Sequence, residues 1–505
     1  MSGLKILMSS SEAVPFIKTG GLADVAGALP QSIAGLGHEV KVVLPLYRAI
    51  DKSKYTFHPV ELKDGDHFIN IADTDYKLEA ISTTDQKTGV QFIFIKNDYY
   101  FDREGIYLDK ETGEDYPDND ERYAFFGRAV LELARAIDYH PDIIHLHDWQ
   151  SAMTGGYLRT LYADDPFFEK TRTIFTIHNI GYQGHFPQET FAKLGLDEGY
   201  YAPGSPFEYW EHVNYLKVGI TTADIITTVS ETYAQEIQSG NDMGFGMEGI
   251  LYYLRDSLFG VLNGVDYEVW SPENDTLIPF NFSVKDFSNK HKNKQSLLNM
   301  TGLESSNIDK PLIGVISRLA DQKGFDLIEK ISDELFMLDF QMVLLGTGDS
   351  KYHALFEALQ QIHPRKIKAF LTFDNKLAHL IEAGSDMFLM PSLYEPCGLN
   401  QMYSLKYGTV PIVRKTGGLA DTVIDYNENP DSGNGFVFED YEPEELLDTI
   451  KRALTAYQNQ KIWREIMLRG MIADHSWDAS AVKYVDIYQH ALNLPKSDKL
   501  NFHVV

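Results

Sequence analysis

The chain has 505 residues, about three times the length of a typical single domain, so two or more domains are expected. Hydrophobic residues at 44% and charged residues at 23% are the proportions of a packed chain and exclude wholesale disorder. Lys and Arg number 45 against 73 Asp and Glu, a net charge of −28, and so acidic a surface argues against general binding to nucleic acid or to an anionic membrane.

In chain order, short β-rich apolar runs each lead through a small-residue loop into a helix-period segment. Lys5–Ser9 precedes Leu22–Leu36, Asp142–Leu146 precedes Gln150–Leu161, and Asp224–Val229 precedes Ser230–Ile237. Residues 58–108 break the rhythm: strand-like pieces such as Gln91–Ile95 alternate with Asp/Gly/Thr turns and predict an antiparallel insertion. After the apolar run Leu258–Leu262 comes Asn263-Gly264, then a polar stretch with Pro272 and Pro279. The rhythm restarts at Pro311, with Leu312–Ile316, Gln341–Leu345 and Met387–Met390 each followed by a helical pattern. The fold class expected is α/β, with parallel sheets and crossover helices in two domains, residues 1–264 and 265–480, followed by a C-terminal helix and tail over 481–505. Lys18-Thr-Gly-Gly-Leu-Ala-Asp24 recurs letter for letter as Lys415–Asp421. Ligands of open α/β sheets bind at the carboxyl ends of the strands, so the active site is expected in a cleft between the domains.

A single cysteine, Cys397, excludes an intrachain disulfide and a cysteine-rich zinc module. No run approaches the ~18 apolar residues of a spanning helix, and the strand-like start at Leu4–Met8 leaves no room for a signal peptide. A reducing cytoplasm is the expected compartment, with no membrane partner.

Four constellations can carry chemistry. At Ser9–Asp24 a strand end opens through Lys18 and Gly20-Gly21 into a helix, where bare backbone amides and a lysine suit a phosphate; a tight turn with an exposed lysine is the bland alternative. Neither G-x-G-x-x-G nor G-x-x-x-x-G-K-[ST] occurs there, which removes the usual support for dinucleotide redox chemistry and P-loop hydrolysis. Arg318 and Lys323, five residues apart on a loop after a buried strand, can converge on one anion or be two solvated cations. Glu395, followed by Pro396 and Gly398, can accept hydrogen bonds from sugar hydroxyls while the Gly398-Leu399 amides face a phosphate. His145-Leu-His-Asp-Trp149 and Thr176-Ile-His-Asn-Ile180 are histidine-rich, but their spacing lacks a metal-site partner. The Asp triplets 64/66, 73/75 and 118/120 read as solvated turns and a polar loop rather than metal ligands.

Ser11-Glu-Ala-Val-Pro-Phe-Ile-Lys-Thr-Gly-Gly-Leu-Ala-Asp-Val25 resembles the N-terminal signature of bacterial glycogen synthases and plant starch synthases. His145–Trp149, His178-Asn179 with Tyr182-Gln-Gly184, Asn263-Gly-Val-Asp266, Ser317-Arg-Leu, Gln322-Lys-Gly, Leu345–Asp349, Glu395-Pro-Cys-Gly-Leu and Thr416-Gly-Gly-Leu follow in that family's order, from about residue 4 to about residue 490. The resemblance implies two Rossmann-like domains facing each other across a deep cleft, the B-type glycosyltransferase architecture, with the C-terminal helix and tail over 481–505 crossing back to the first domain. It implies a retaining glucosyltransferase that uses ADP-glucose to extend glycogen or a maltooligosaccharide, with no cofactor and no metal. By motif match, Lys18 and the Gly20 and Gly21 amides would meet the donor diphosphate from one domain, and Arg318 and Lys323 from the other. His178 would contact the transferred glucose, Glu395 would hold its hydroxyls, and Asp148 would lie beside glucose or acceptor. Cys397, Gly398 and Leu399 would line the donor pocket, and Asp24, Asn179, Tyr182 and Thr416 would complete the binding set. Related transferases carry a second Glu eight residues after the first; here, as in the synthase branch, Tyr403 stands there. The adenine-facing aromatic is Phe373, which keeps stacking but loses a phenolic hydrogen bond, so UDP-glucose is the alternative donor. The aromatic-rich stretch from Tyr200 to Trp210 suits either glucan stacking or a partly buried lid. A catalytically silent glucan-binding relative is the rival from another class, but it would be expected to lack the cations that are present here. No motif bears on oligomeric state.

Overall fold

The computed structural model describes residues 3–495 and divides the chain into two compact units. One comprises the chain up to Val229, Ala234–Gly264 and the segment from Trp477; the other comprises Ser230–Tyr233 and Val265–Ser476.

The first unit is built on a sheet whose order, among the described residues, is Leu258–Gly260, Ile225–Thr228, Arg172–Ile177, Ile143–His147, Lys5–Ser9, Glu39–Pro45, Gln91–Lys96, Glu79–Thr84 and His58–Pro59. Pairing is parallel as far as Gln91–Lys96 and antiparallel over the last two strands. Ile143-Ile-His-Leu-His147 and Arg172–Ile177 are buried at every position, as expected of parallel strands covered on both faces. Antiparallel pairing within residues 58–96 thus extends the edge of the main sheet, while Phe68–Ile71 and Thr74–Lys77 form a separate hairpin with Ala72 and Asp73 left-handed at its turn. The chain builds outward from Lys5–Ser9 in one direction and then returns beside it at Ile143–His147, which makes that seam the point where strand order reverses.

The C-terminal helix Trp477–Asn493 belongs to this unit and packs on the helix Gly21–Gly35 and the strand Arg172–Ile177. Its buried Tyr488 hydroxyl lies 2.8 Å from His145 Nδ1, so a residue 343 positions away fixes a histidine of the central sheet. Asp120, expected in a polar loop, instead sits in the first turn of the helix Asn119–Ala136. It is buried and accepts from Thr190 Oγ1 (2.7 Å) and Lys193 Nζ (2.8 Å). Acidic residues favour a helix N-terminus, and a distant lysine satisfies the charge, a pairing that local sequence does not reveal.

The second unit carries a parallel sheet ordered Ile367–Phe370, Gln341–Leu345, Leu312–Ile316, Met387–Met390, Val410–Arg414 and Phe436–Phe438. Its reversal seam lies between Leu312–Ile316 and Met387–Met390. Apolar side chains pack both faces of the sheet, Phe325, Phe356 and Trp463 in one cluster and Leu297, Ile381 and Leu419 in the other. The segment that enters this unit is pinned by Asp275, which accepts from His379 Nδ1 (2.8 Å) and Tyr407 Oη (2.6 Å). Trp270 stacks between His379, at 3.8 Å, and Tyr403, at 4.1 Å. Tyr403 is therefore a packing residue on a buried aromatic stack. Among the described residues, no helix is long and apolar enough to cross a membrane.

Candidate functional site

Lys18 and Asp148 follow the two seam strands of the first unit, and His178 follows the neighbouring Arg172–Ile177. In the second unit Arg318 and Glu395 follow the two seam strands, Thr416 follows Val410–Arg414 and Phe373 follows the edge strand Ile367–Phe370. A parallel sheet leaves a crevice at such a seam. In the first unit Lys5–Ser9 runs into a buried Ser10-Ser11-Glu12 corner. Glu12 lies within the Ser11–Val25 signature, yet its residue type and spacing do not mark it as a site residue. It accepts from the Thr19 amide, from Thr19 Oγ1 (2.6 Å) and from Tyr107 Oη (2.6 Å). Those bonds fix the loop that carries Lys18, Gly20 and Gly21. Lys18 reaches both oxygens of Asp24 at 2.7 Å in a half-exposed pair, and the helix Gly21–Gly35 starts at Gly20 with no side-chain cap. A Cβ on Gly20 or Gly21 would meet nothing within 4 Å.

The duplicated heptapeptide behaves oppositely in the second unit. A Cβ on Gly417, whose φ is +42°, would fall 2.0 Å from the Glu395 carbonyl oxygen, and one on Gly418 would fall 2.0 Å from that of Cys397. Lys415 pairs with Glu439, and Asp421 accepts from Thr232. Identical letters give open amides in one copy and a tight seat for the Glu395 loop in the other.

Asp148 follows Ile143–His147 directly, is buried, and holds a left-handed φ of +56°, a strained conformation for a non-glycine residue. Its Oδ1 accepts the His178 amide at 2.7 Å, and the Asn179 amide also donates to it. Burial pushes the Asp148 carboxyl up to about 7; the two amides oppose this and the charge of Glu12 adds to it. His178 Nε2 lies 3.0 Å from His147 Nδ1, and His145 Nε2 lies 2.6 Å from Thr176 Oγ1. Burial lowers His178 to about 3 and, with the His178 charge adding, His145 to about 3; His147 also falls well below its usual value, again chiefly through burial. These rings are neutral hydrogen-bonding groups. Among the described residues, no group of three or more His, Cys, Asp or Glu side chains is placed to hold a metal ion. Asn179 Oδ1 accepts the Gly181 amide at 3.0 Å, and Tyr182 is exposed.

In the second unit Arg318 follows Leu312–Ile316 and donates to Gln322 Oε1 at 3.4 Å. Lys323 Nζ donates to Glu395 Oε2 at 2.6 Å, and Ser392 Oγ donates to the same oxygen at 3.0 Å. The approach requires Gly324, left-handed at φ +72°, where a Cβ would lie 1.9 Å from the Pro391 carbonyl oxygen. Glu395 and Cys397 are buried, Gly398 is left-handed, and the buried Thr416 precedes the helix Gly417–Thr422. Leu399 precedes the helix Asn400–Lys406. Phe373 stands apart from this packing, 85% exposed on the segment after Ile367–Phe370.

These buried groups make stability depend on pH. Between about pH 3 and 6.5 the unfolded chain binds protons at His145 and His178 that the folded chain refuses, so unfolding becomes easier as pH falls through this window. Each such proton contributes a slope of about 1.4 kcal/mol per pH unit. Asp148 acts in the opposite sense: its folded carboxyl keeps a proton up to about 7, so rising pH costs stability between the unfolded value of 3.8 and about 7. The buried Glu382 carboxyl, pushed up to about 8, acts in the same sense as Asp148, and the three lowered histidines outnumber these two carboxyls. Urea midpoints should fall from pH 6.5 to 4.5, and His145→Gln should flatten that dependence by roughly one proton. An unchanged slope in the variant would contradict the assignment.

The starch synthase catalytic domain family matches residues 5–253, and the glycosyl transferases group 1 family matches residues 303–467. A glycogen synthase of Syntrophotalea carbinolica is 46% identical over 495 residues, covering 97% of this chain and 99% of that protein. One of Koribacter versatilis is 44% identical over 490 residues, covering 97% and 98%. Among solved structures, the catalytic domain of starch synthase IV from Arabidopsis thaliana, bound to ADP and acarbose, is similar with a TM-score of 0.88 and 32% identity, over 98% of this chain and 100% of that one.

Proposed function

We propose that this chain, which belongs to the glycogen synthase and starch synthase family of glycosyltransferases, transfers glucose from ADP-glucose to the non-reducing end of an α-1,4-glucan with retention of configuration. The observation that carries the reading is the ion pair of Lys323 with the buried Glu395 carboxylate at one reversal seam, with Arg318 on the same loop as Lys323. The ADP in the Arabidopsis structure supports an adenine-linked donor.

In this reading the bond between glucose C1 and the β-phosphate oxygen breaks, the acceptor O4 bonds to C1, and the O4 proton leaves with the departing ADP. Negative charge grows on the diphosphate as the bond breaks. Arg318 presents a planar fork and Lys323 a compact charge, each lowering that barrier by about 2–4 kcal/mol. In the first unit, Lys18 and the Gly20 and Gly21 amides are the groups suited to a donor phosphate. Glu395 accepts from glucose hydroxyls, and Cys397, Gly398, Leu399 and Thr416 line the donor pocket. Neutral His178 contacts the transferred glucose, while Asp148 and Asn179 stand beside it and Tyr182 borders it. Asp24 orients Lys18 through their ion pair. Phe373 offers an exposed ring on which an adenine stacks.

Because protein cations neutralise the diphosphate, transfer is expected to proceed in EDTA. Labelled ADP-glucose with glycogen should yield labelled polymer that α-amylase degrades. Abolition by chelation, with rescue by Mg²⁺ or Mn²⁺, would overturn the role given to Arg318 and Lys323.

A further inference from the structure

Three loop segments of the first unit are tied into one surface beside the His178 loop. Gln183 Nε2 donates to the Phe245 carbonyl at 2.9 Å, Asn214 Nδ2 donates to Gln183 Oε1 at 2.7 Å, and Tyr209 Oη donates to the Gly246 carbonyl at 3.1 Å. Onto this surface the chain presents aromatic side chains to solvent: Trp210 is 81% exposed, Tyr182 54% and Phe245 39%.

Two of them stand on backbone that disfavours them. Tyr209 and His212 exchange both amide–carbonyl bonds, at 2.8 and 3.0 Å, so Trp210 and Glu211 are the central pair of a two-residue hairpin. Their φ values are +51° and +62°, the class of turn that Asn-Gly or Gly-Gly adopts without strain. Phe245, the residue after the helix Asn241–Gly244, is left-handed as well, at φ +50°. A bulky aromatic in this conformation is unfavourable, and Trp210, at 81% exposed, recovers little of the cost by burial. Phe207, from the same stretch of sequence, is by contrast fully buried. Where folding alone would choose Asn-Gly, the chain keeps Trp-Glu.

We propose that Trp210, with Phe245, forms an acceptor platform on which the pyranose rings of an α-1,4-glucan stack as the chain leaves the His178 loop. Sugar rings offer apolar C–H faces bordered by hydroxyls, which match an exposed indole face with hydrogen-bonding loops around it. This inference rests on the glucan-synthase reading. It adds a subsite, several residues from the chemistry, that favours long acceptors over short ones.

The test replaces the strained pair with the residues the turn prefers, Trp210→Asn with Glu211→Gly. The double variant should melt at or above the wild-type temperature, yet run with less retardation in native gels containing glycogen. Its KM for glycogen should rise about tenfold, its KM for ADP-glucose should stay within twofold, and its KM for maltotriose should move much less than that for glycogen. Phe245→Ala should shift glycogen affinity in the same direction. Wild-type retardation and glycogen KM in the double variant would overturn the platform, as would equal losses on glycogen and maltotriose. If the aromatic surface serves a protein partner instead, the glycogen readouts stay at wild-type values, which also overturns the proposal. Failure of the parent reading looks different: the wild-type protein itself would transfer no glucose to either acceptor.

Discussion

Lys323→Ala should lower kcat by about 10²-fold or more while the protein remains folded. The lysine is the compact cation of the second unit's seam, and its Nζ is already fixed at 2.6 Å from Glu395 Oε2 by a turn that only Gly324 permits. A cation held in place before the reaction reorganises little as charge develops on the leaving diphosphate, which is why its removal should appear in kcat more than in KM. The substitution also leaves the buried Glu395 carboxylate with Ser392 as a remaining donor. Breaking a fully buried pair costs about 3–5 kcal/mol; the partly solvated lysine here brings the expectation to roughly 1–3 kcal/mol, to be read from melting curves. Turnover near wild type would remove Lys323 from the transition state.

Glu395→Ala should likewise reduce kcat by about 10²-fold, for a different reason. The carboxylate is buried and shares one oxygen between Lys323 and Ser392, so its loss removes the anchor that orients the lysine, together with the acceptor proposed for the sugar hydroxyls. The two residues therefore act as a unit. The Lys323→Ala/Glu395→Ala double variant should be little slower than either single variant, where independent contributions would multiply to about 10⁴. Full multiplicativity would show that the ion pair is incidental to catalysis.

Much of the fold was legible because its signals are local. Continuous apolar runs such as Ile143–Leu146 and Met387–Met390, each followed by a helical period, point to parallel strands with crossovers, and the sheets are built from them. The order of strands, and hence which loops meet at a seam, depends on partners more than a hundred residues apart and leaves no local trace: Ile6 lies beside Ile143. The same limit applies within the site. Lys18, Arg318, Lys323 and Glu395 stand out in sequence because charges on small-residue loops after strands have few structural reasons to be there. Glu12 did not, since a lone Glu looks solvated until Thr19 and Tyr107 are seen to cover it. His145 carries a suggestion of metal chemistry in sequence, whereas Thr176 and Tyr488 make it a neutral spacer. The repeated heptapeptide shows the limit most clearly. Its glycines are open at Gly20 and crowded at Gly417, and only the neighbouring Glu395 loop tells the two copies apart.

The central claim is best tested by following the anomeric protons of ADP-glucose and glycogen together by NMR, in EDTA, as the reaction runs. Loss of the ADP-glucose signal should be matched by equal gains in ADP and in the α-1,4 anomeric signal of the polymer. Release of free glucose without polymer growth, growth of a β-linked signal, or turnover of UDP-glucose with none of ADP-glucose would contradict it.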